Sequence, residues 1–93
     1  MNLQKIRNQI KQSVNRDMTK TLLEYLGYKI SSNYMFKIRD ERTPSASIRT
    51  DGYIKDFGSG WGGDIVAFIH EHHNTPLKEA TLWVAQCLGI RYE

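Results

Sequence analysis

One stretch limits what this chain can fold into: residues 36–69, FKIRDERTPSASIRTDGYIKDFGSGWGGDIVAFI. Pro44 has no backbone N–H to donate, so a strand arriving from residue 34 must stop before it. Ala46 to Arg49 and Tyr53 to Phe57 then read as a hairpin closed across Thr50-Asp51-Gly52. The glycine cluster that follows (Gly58, Gly60, Gly62, Gly63) admits backbone conformations closed to other residues and lets the chain pass close to a neighbour. Asp64 stands where a helix should begin, with Ile65, Phe68 and Ile69 at helical spacing behind it.

The flanks complete an α+β pattern. Leu3, Ile6, Ile10 and Val14 form one apolar stripe of a helix, with Lys5, Arg7 and Lys11 off it. That helix is either part of the core or an arm docked on a partner. A second helix runs through Met18, Leu22, Leu23 and Leu26, capped by Asn15 or Asp17 and ended by Gly27. Tyr28-Lys29-Ile30 and Tyr34 to Ile38 are β-rich around the turn chemistry of Ser31-Ser32-Asn33. After the helix at 64–73, Asn74-Thr75-Pro76 restarts the chain. Thr75 is the expected N-cap and Pro76 the first helical residue. Leu77, Ala80, Val84, Cys87 and Leu88 share a face, and Gly89 ends the last helix. The expected organisation is one domain over 1–93. It comprises a helical part at 1–26, a small antiparallel sheet of three or four strands at 28–57, a Gly-rich loop at 58–63 and two helices at 64–89.

Ninety-three residues, 40% hydrophobic and 25% charged, make ordinary globular material with a modest core. No apolar run approaches the roughly 20 residues of a spanning helix, and the polar N-terminus is no secretory signal. A cytoplasmic location is the expectation. The single cysteine excludes an internal disulfide and any multi-cysteine zinc site, and its helical setting predicts a core thiol. The net charge of +3 hides an asymmetry. Residues 1–63 carry eleven Lys and Arg against six Asp and Glu, a balance of +5; residues 64–93 carry two against four, a balance of −2. The basic part is the part with the strands, as a nucleic-acid face requires. A merely solvated basic surface has the same composition.

Several residues invite chemistry. Gly58-Ser59-Gly60-Trp61-Gly62-Gly63 satisfies G-x-G-x-x-G, but the preceding strand belongs to a hairpin, the following helix leads into another helix and no acidic residue follows about 20 positions on at a strand end, so the context does not match a dinucleotide fold. Amides at that helix start could still hold one phosphate, in competition with the Asp64 carboxylate. Trp61 is either a lid packed over the sheet or an exposed stacking surface for a base; Tyr34, Tyr53 and Phe57 pose the same question. Strand alternation puts Tyr53 and Lys55 on one side. Rings interleaved with Lys37, Arg39, Arg42, Arg49 and Lys55 suit an unpaired strand, with charge for the phosphates and π faces for the bases. His70 and His73, one turn apart, lack a third ligand in register, and the cluster reads as surface histidines near a helix C-terminus. No nucleophile has an evident base and no carboxylate cluster would hold magnesium. The chain reads as non-enzymatic.

The run Glu41-Arg42-Thr43-Pro44-Ser45, then Tyr53 through Phe57-Gly58, then Gly62-Gly63-Asp64 before an apolar helix resembles the zinc-binding domain of bacterial primases. That family's pattern is Cys-Pro-x-His, Glu-Lys-Thr-Pro-Ser, two strands, Cys-Phe-Gly-Cys-Gly, and a Gly-Gly-Asp helix start. The resemblance covers about the C-terminal two thirds, since Gly27 to Ile38 also fits the hairpin that leads into the first ligand pair. Against it, Phe36 and Arg39 stand where the first Cys and the His would be, and Asp56 and Ser59 where the last two Cys would be. The resemblance therefore implies a zinc-ribbon-like frame that has lost all four ligands and carries no cofactor. Structural zinc contributes on the order of 10 kcal/mol to very small domains. In its place Phe36 could fill the space, and Arg39 and Asp56 could form an ion pair where the metal sat.

The resemblance also implies that the basic, sheet-bearing side contacts template DNA and that catalysis resides elsewhere. Because the sequence stops at Glu93, the expectation is a separate primase or polymerase polypeptide, docked through the first helix or the −2 C-terminal helices. The expected function is a DNA-binding accessory subunit of a priming or replication apparatus, acting on single-stranded template. The competing reading is a protein–protein adaptor or inhibitor of a replication enzyme that has lost zinc and DNA together. A duplex-binding regulator fits less well, because no helix carries basic and amide side chains on one face for the major groove.

Overall fold

The structure, a computed structural model, describes residues 2–40 and 42–91. Glu41 of the motif run and the terminal Glu93 lie outside them. Among the described residues, four helices pack against one face of a four-stranded antiparallel sheet. Helix α1 (Leu3–Ser13) starts where the Asn2 side chain accepts from the Lys5 N–H. Helix α2 (Arg16–Tyr25) starts at Asn15, whose Oδ1 accepts from Met18 N–H at 2.9 Å. Of the two candidate caps Asn15 does the capping, while Asp17 takes a hydrogen bond from the Tyr34 hydroxyl at 2.7 Å. Helix α2 closes as the spacing around Gly27 predicts. Tyr28 N–H reaches Leu23 C=O and Gly27 N–H reaches Glu24 C=O, which satisfies the last-turn carbonyls.

The sheet is a meander of β1 (Met35–Phe36), β2 (Ala46–Ile48), β3 (Ile54–Asp56) and β4 (Gly62–Gly63). The hairpin forms where expected, with Ala46 opposite Asp56 and Ile48 opposite Ile54. Two expectations fail around it. Tyr28 to Ile30 forms no strand, and the strand expected over 34–38 shrinks to Met35–Phe36. Tyr34 is the cause: its φ of 63° puts a kink where the strand would begin. Its position is held by the Arg16 guanidinium, 4.4 Å above the ring, and by Ile48 N–H donating to its carbonyl. The fourth strand comes instead from inside the glycine cluster, which divides into a turn and β4. Any larger residue in β4 would crowd its neighbours. A Cβ on Gly62 would lie 2.5 Å from the Tyr53 hydroxyl, and one on Gly63 3.0 Å from the Trp61 ring.

Helix α3 (Ile65–His72) begins at Asp64, whose Oδ1 accepts from Ala67 N–H at 2.8 Å. Helix α4 (Leu77–Cys87) begins one residue later than expected: Pro76 is the cap residue, and no side chain caps the helix. Thr75 turns its hydroxyl back toward the His73 carbonyl. The C-terminus repeats the α2 device, with Ile90 N–H on Ala85 C=O and Gly89 N–H on Gln86 C=O.

Alternation sends Phe36, Ala46, Ile48 and Ile54 to one face of the sheet, where they meet Ile6, Ile10, Leu22, Leu23, Ile65, Phe68, Ile69 and Val84 in one apolar core. Helix α1 is therefore core and not a free arm. The expectation of a core thiol fails. The stripe α4 buries is Ala80, Thr81, Val84 and Ala85, and Cys87 falls past its edge and is exposed. Among the described residues, no helix is long and apolar enough to cross a membrane.

Candidate nucleic-acid interface and the Asp56 hub

The two faces of the sheet divide the candidate residues. Register places Met35, Ser47, Lys55 and Gly62 in one row across the outer face. Alternation adds Lys37, Arg49 and Tyr53 to that side. Lys37 and Arg49 are exposed, Tyr53 is 37% exposed, and the Arg49 guanidinium lies 5.5 Å from the Tyr53 ring centre. Lys55 donates to the Gly60 carbonyl at 3.2 Å, so its ammonium is fixed above the turn. Arg42 is exposed on the loop between β1 and β2.

Of the two alternatives Trp61 is packed, but against α3 and not over the sheet. Its ring meets Phe68 edge-on at 5.9 Å and His72 at 4.7 Å, and its N–H donates to Glu71. Tyr34 is likewise held, by Arg16, Lys20 and Asp17, whereas Phe57 is 65% exposed. The histidines are engaged locally. His72 stacks on Phe68 at 4.5 Å, His73 meets the Tyr28 hydroxyl at 2.9 Å, and His70 meets the Thr75 carbonyl at 2.7 Å.

The inner face carries the second cluster. Phe36 and Asp56 both stand opposite Ala46, in one row across β1, β2 and β3. The Asp56 side chain is fully buried and ringed by donors. The Gly58 N–H (2.9 Å) and the Ser45 hydroxyl (3.2 Å) donate to Oδ1; the Ser59 hydroxyl (2.6 Å) and the Arg39 guanidinium donate to Oδ2. Arg39 also donates to Ser45 at 3.3 Å. Burial alone would raise the Asp56 pKa. The hydrogen bonds from Ser59, Arg39 and Gly58, with the Arg39 charge, outweigh it and bring the pKa down to about 2. Main-chain bonds from Asp56 N–H to Trp61 C=O and from Gly60 N–H to Asp56 C=O close the turn over this hub.

Phe36, Arg39, Asp56 and Ser59 thus converge on one end of the sheet, and Arg39 and Asp56 form the expected pair. As a donor set they do not fit zinc. Phe36 has no ligand atom, Arg39 is a cation, and the Asp56 oxygens are already taken. Among the described residues no three His, Cys, Asp or Glu side chains are grouped to hold a metal ion. Sequence reading gave Ser45 and Gly58 no role in this hub. The signal was present: once the hairpin closes across Asp51-Gly52, Ala46 faces Asp56 and residue 45 must lie beside 57. Phe57 N–H indeed donates to the Ser45 carbonyl at 2.8 Å.

No protein-family model matches the chain, and no curated protein does. A solved structure is similar to it: the crystal structure of the Aquifex aeolicus primase (zinc-binding and RNA polymerase domains), with a TM-score of 0.66 over 92% of this chain at 21% identity. The chain corresponds to 22% of that chain's length. The likeness establishes a small α+β fold of the primase zinc-binding type.

Proposed function

We propose that this chain is a non-catalytic module of a replication apparatus that holds unpaired template DNA and acts beside a separate primase or polymerase. The observation that carries the proposal is the sheet register, which gathers Arg49, Tyr53 and Lys55 on the outer face of a primase-like fold. Lys37 extends this face, Arg42 is exposed on the neighbouring loop, and Arg39 and Trp61 are engaged elsewhere, by Asp56 and by Phe68. Cations would meet phosphates and Tyr53 would meet a base. The structural neighbour is a primase that joins zinc-binding and RNA polymerase domains, which supports a role near template and enzyme. In this reading the module works without zinc, because the Asp56 hub ties β1, β2 and the glycine turn together.

The test is fluorescence anisotropy of labelled single-stranded and duplex DNA at two salt concentrations, with and without a candidate primase or polymerase. Salt-sensitive preference for the single strand, weakened by Arg49→Ala/Lys55→Ala and by Tyr53→Ala, is the expected result. Variants that leave DNA affinity unchanged but lose enzyme binding would replace this reading with a protein adaptor or inhibitor.

A further inference from the structure

A cleft of about 490 Å³ lies between α1 and the sheet, lined by Arg7, Lys11, Tyr53, Gly62, Asp51 and Asp64 among others. Two features make it more than a surface dent. Arg7 and Lys11 are four residues apart and so share one side of α1, where like charges repel unless an anion lies between them. The Arg7 guanidinium is also under-satisfied. Its Nε is buried without an acceptor, and its Nη2 lies 3.9 Å from Asp64 Oδ2, beyond a hydrogen bond. A planar guanidinium with open donors matches a phosphate.

The cleft is also continuous with the outer face of the sheet, since Tyr53 belongs to both. The carboxylates set its selectivity. Asp64 Oδ1 caps Ala67 N–H and Asp51 Oδ1 accepts from Tyr53 N–H, so both are fixed in place. Arg7 and Lys11 therefore only balance Asp51 and Asp64. A balanced cleft tolerates the single charge of a phosphodiester and disfavours the multiple charges of a terminal phosphate or a free pyrophosphate.

We infer that this cleft seats an internal phosphodiester of the single strand that crosses the sheet, with Arg7 and Lys11 as its ligands. The inference rests on the nucleic-acid reading above and adds α1 to the binding surface. The experiment follows the Arg7 Nε–H and backbone amides by NMR during titration with an unphosphorylated oligothymidylate, and separately with inorganic pyrophosphate. A shift of Arg7 Nε–H with the oligonucleotide, exceeding that with pyrophosphate, is expected.

In parallel, Arg7→Gln/Lys11→Gln should lower the salt slope of strand binding by about 1.4, near 0.7 for each lost contact. Its urea midpoint should change little, since among the described residues neither side chain makes a hydrogen bond and the Arg7–Asp64 ion pair is long, at 3.9 Å. Shifts at Ser47 and Lys55 without Arg7 would overturn the cleft assignment and leave the sheet as the site. A larger Arg7 response to pyrophosphate would make it a site for free anions. No shift with the oligonucleotide would remove both the cleft and the strand-binding reading.

Discussion

Replacing Asp56 by Asn probes the hub most directly. The amide keeps one acceptor oxygen, enough for the Gly58 N–H and the Ser45 hydroxyl, and turns its NH2 toward Ser59 and Arg39. Ser59 can rotate its hydroxyl to accept. Arg39 cannot, and its charged hydrogen bond is lost. A hydrogen bond to a charged group contributes about 1.5–3 kcal/mol. Arg39 is 46% exposed, which reduces its share. With the weaker Ser59 bond added, Asp56→Asn should destabilise by about 2–3 kcal/mol, or roughly 10–20 °C in Tm for a domain of this size.

The acid limb gives a second reading of the same bonds. Asp56 drops from an ordinary 3.8 to about 2 on folding, which corresponds to about 2 kcal/mol of linkage. A depressed carboxylate stabilises fully above its unfolded pKa and loses that contribution as pH falls through the folded value. The gap between wild type and Asp56→Asn in urea midpoint should therefore hold from pH 7 to about 4 and narrow toward pH 2. An unchanged midpoint at pH 7, or a gap that stays constant down to pH 2, would refute the hub.

Three further outcomes follow from the same structure. Gly58→Ala would place a Cβ 2.9 Å from Arg39 Nη1 and 3.2 Å from Ser45 Oγ, displacing the guanidinium. It should lower stability by about 1–2 kcal/mol and by less in an Arg39→Ala background, a non-additivity that a double-mutant cycle reads. Thr75→Ala should shift urea stability by less than about 0.5 kcal/mol, because the hydroxyl does not cap α4; a loss near 1 kcal/mol would restore it as a cap. Cys87, exposed at the end of α4, should react with a maleimide in the native protein, and reaction only on unfolding would contradict its placement.

Much of the framework was legible because it is local chemistry. The hairpin over Ala46 to Phe57 follows from alternation on either side of Asp51-Gly52. The cap at Asp64 and the stops at Gly27 and Gly89 follow from backbone requirements that only a few residue types satisfy. At Tyr28 to Ile30 a distant group overrode local preference, and at Thr75 a neighbouring turn did. Tyr28 to Ile30 has strand composition, but Tyr34 is turned to a positive φ under Arg16 and leaves it no ladder to join. Thr75 has the chemistry of a cap, yet the geometry after His73 directs its hydroxyl backward.

The sequence by itself determined an α+β chain with a basic, strand-bearing part and placed Phe36, Arg39, Asp56 and Ser59 at corresponding points of one motif. Periodicity, turn chemistry and charge count depend on near neighbours, so they survive in a linear reading. Only the tertiary structure decided that Asp56 would be buried under donors from four other residues, that Trp61 would pack on Phe68, and that α1 would bring Arg7 and Lys11 to Tyr53. Those outcomes depend on which faces of the helices the core buries, a choice made by the whole packed chain.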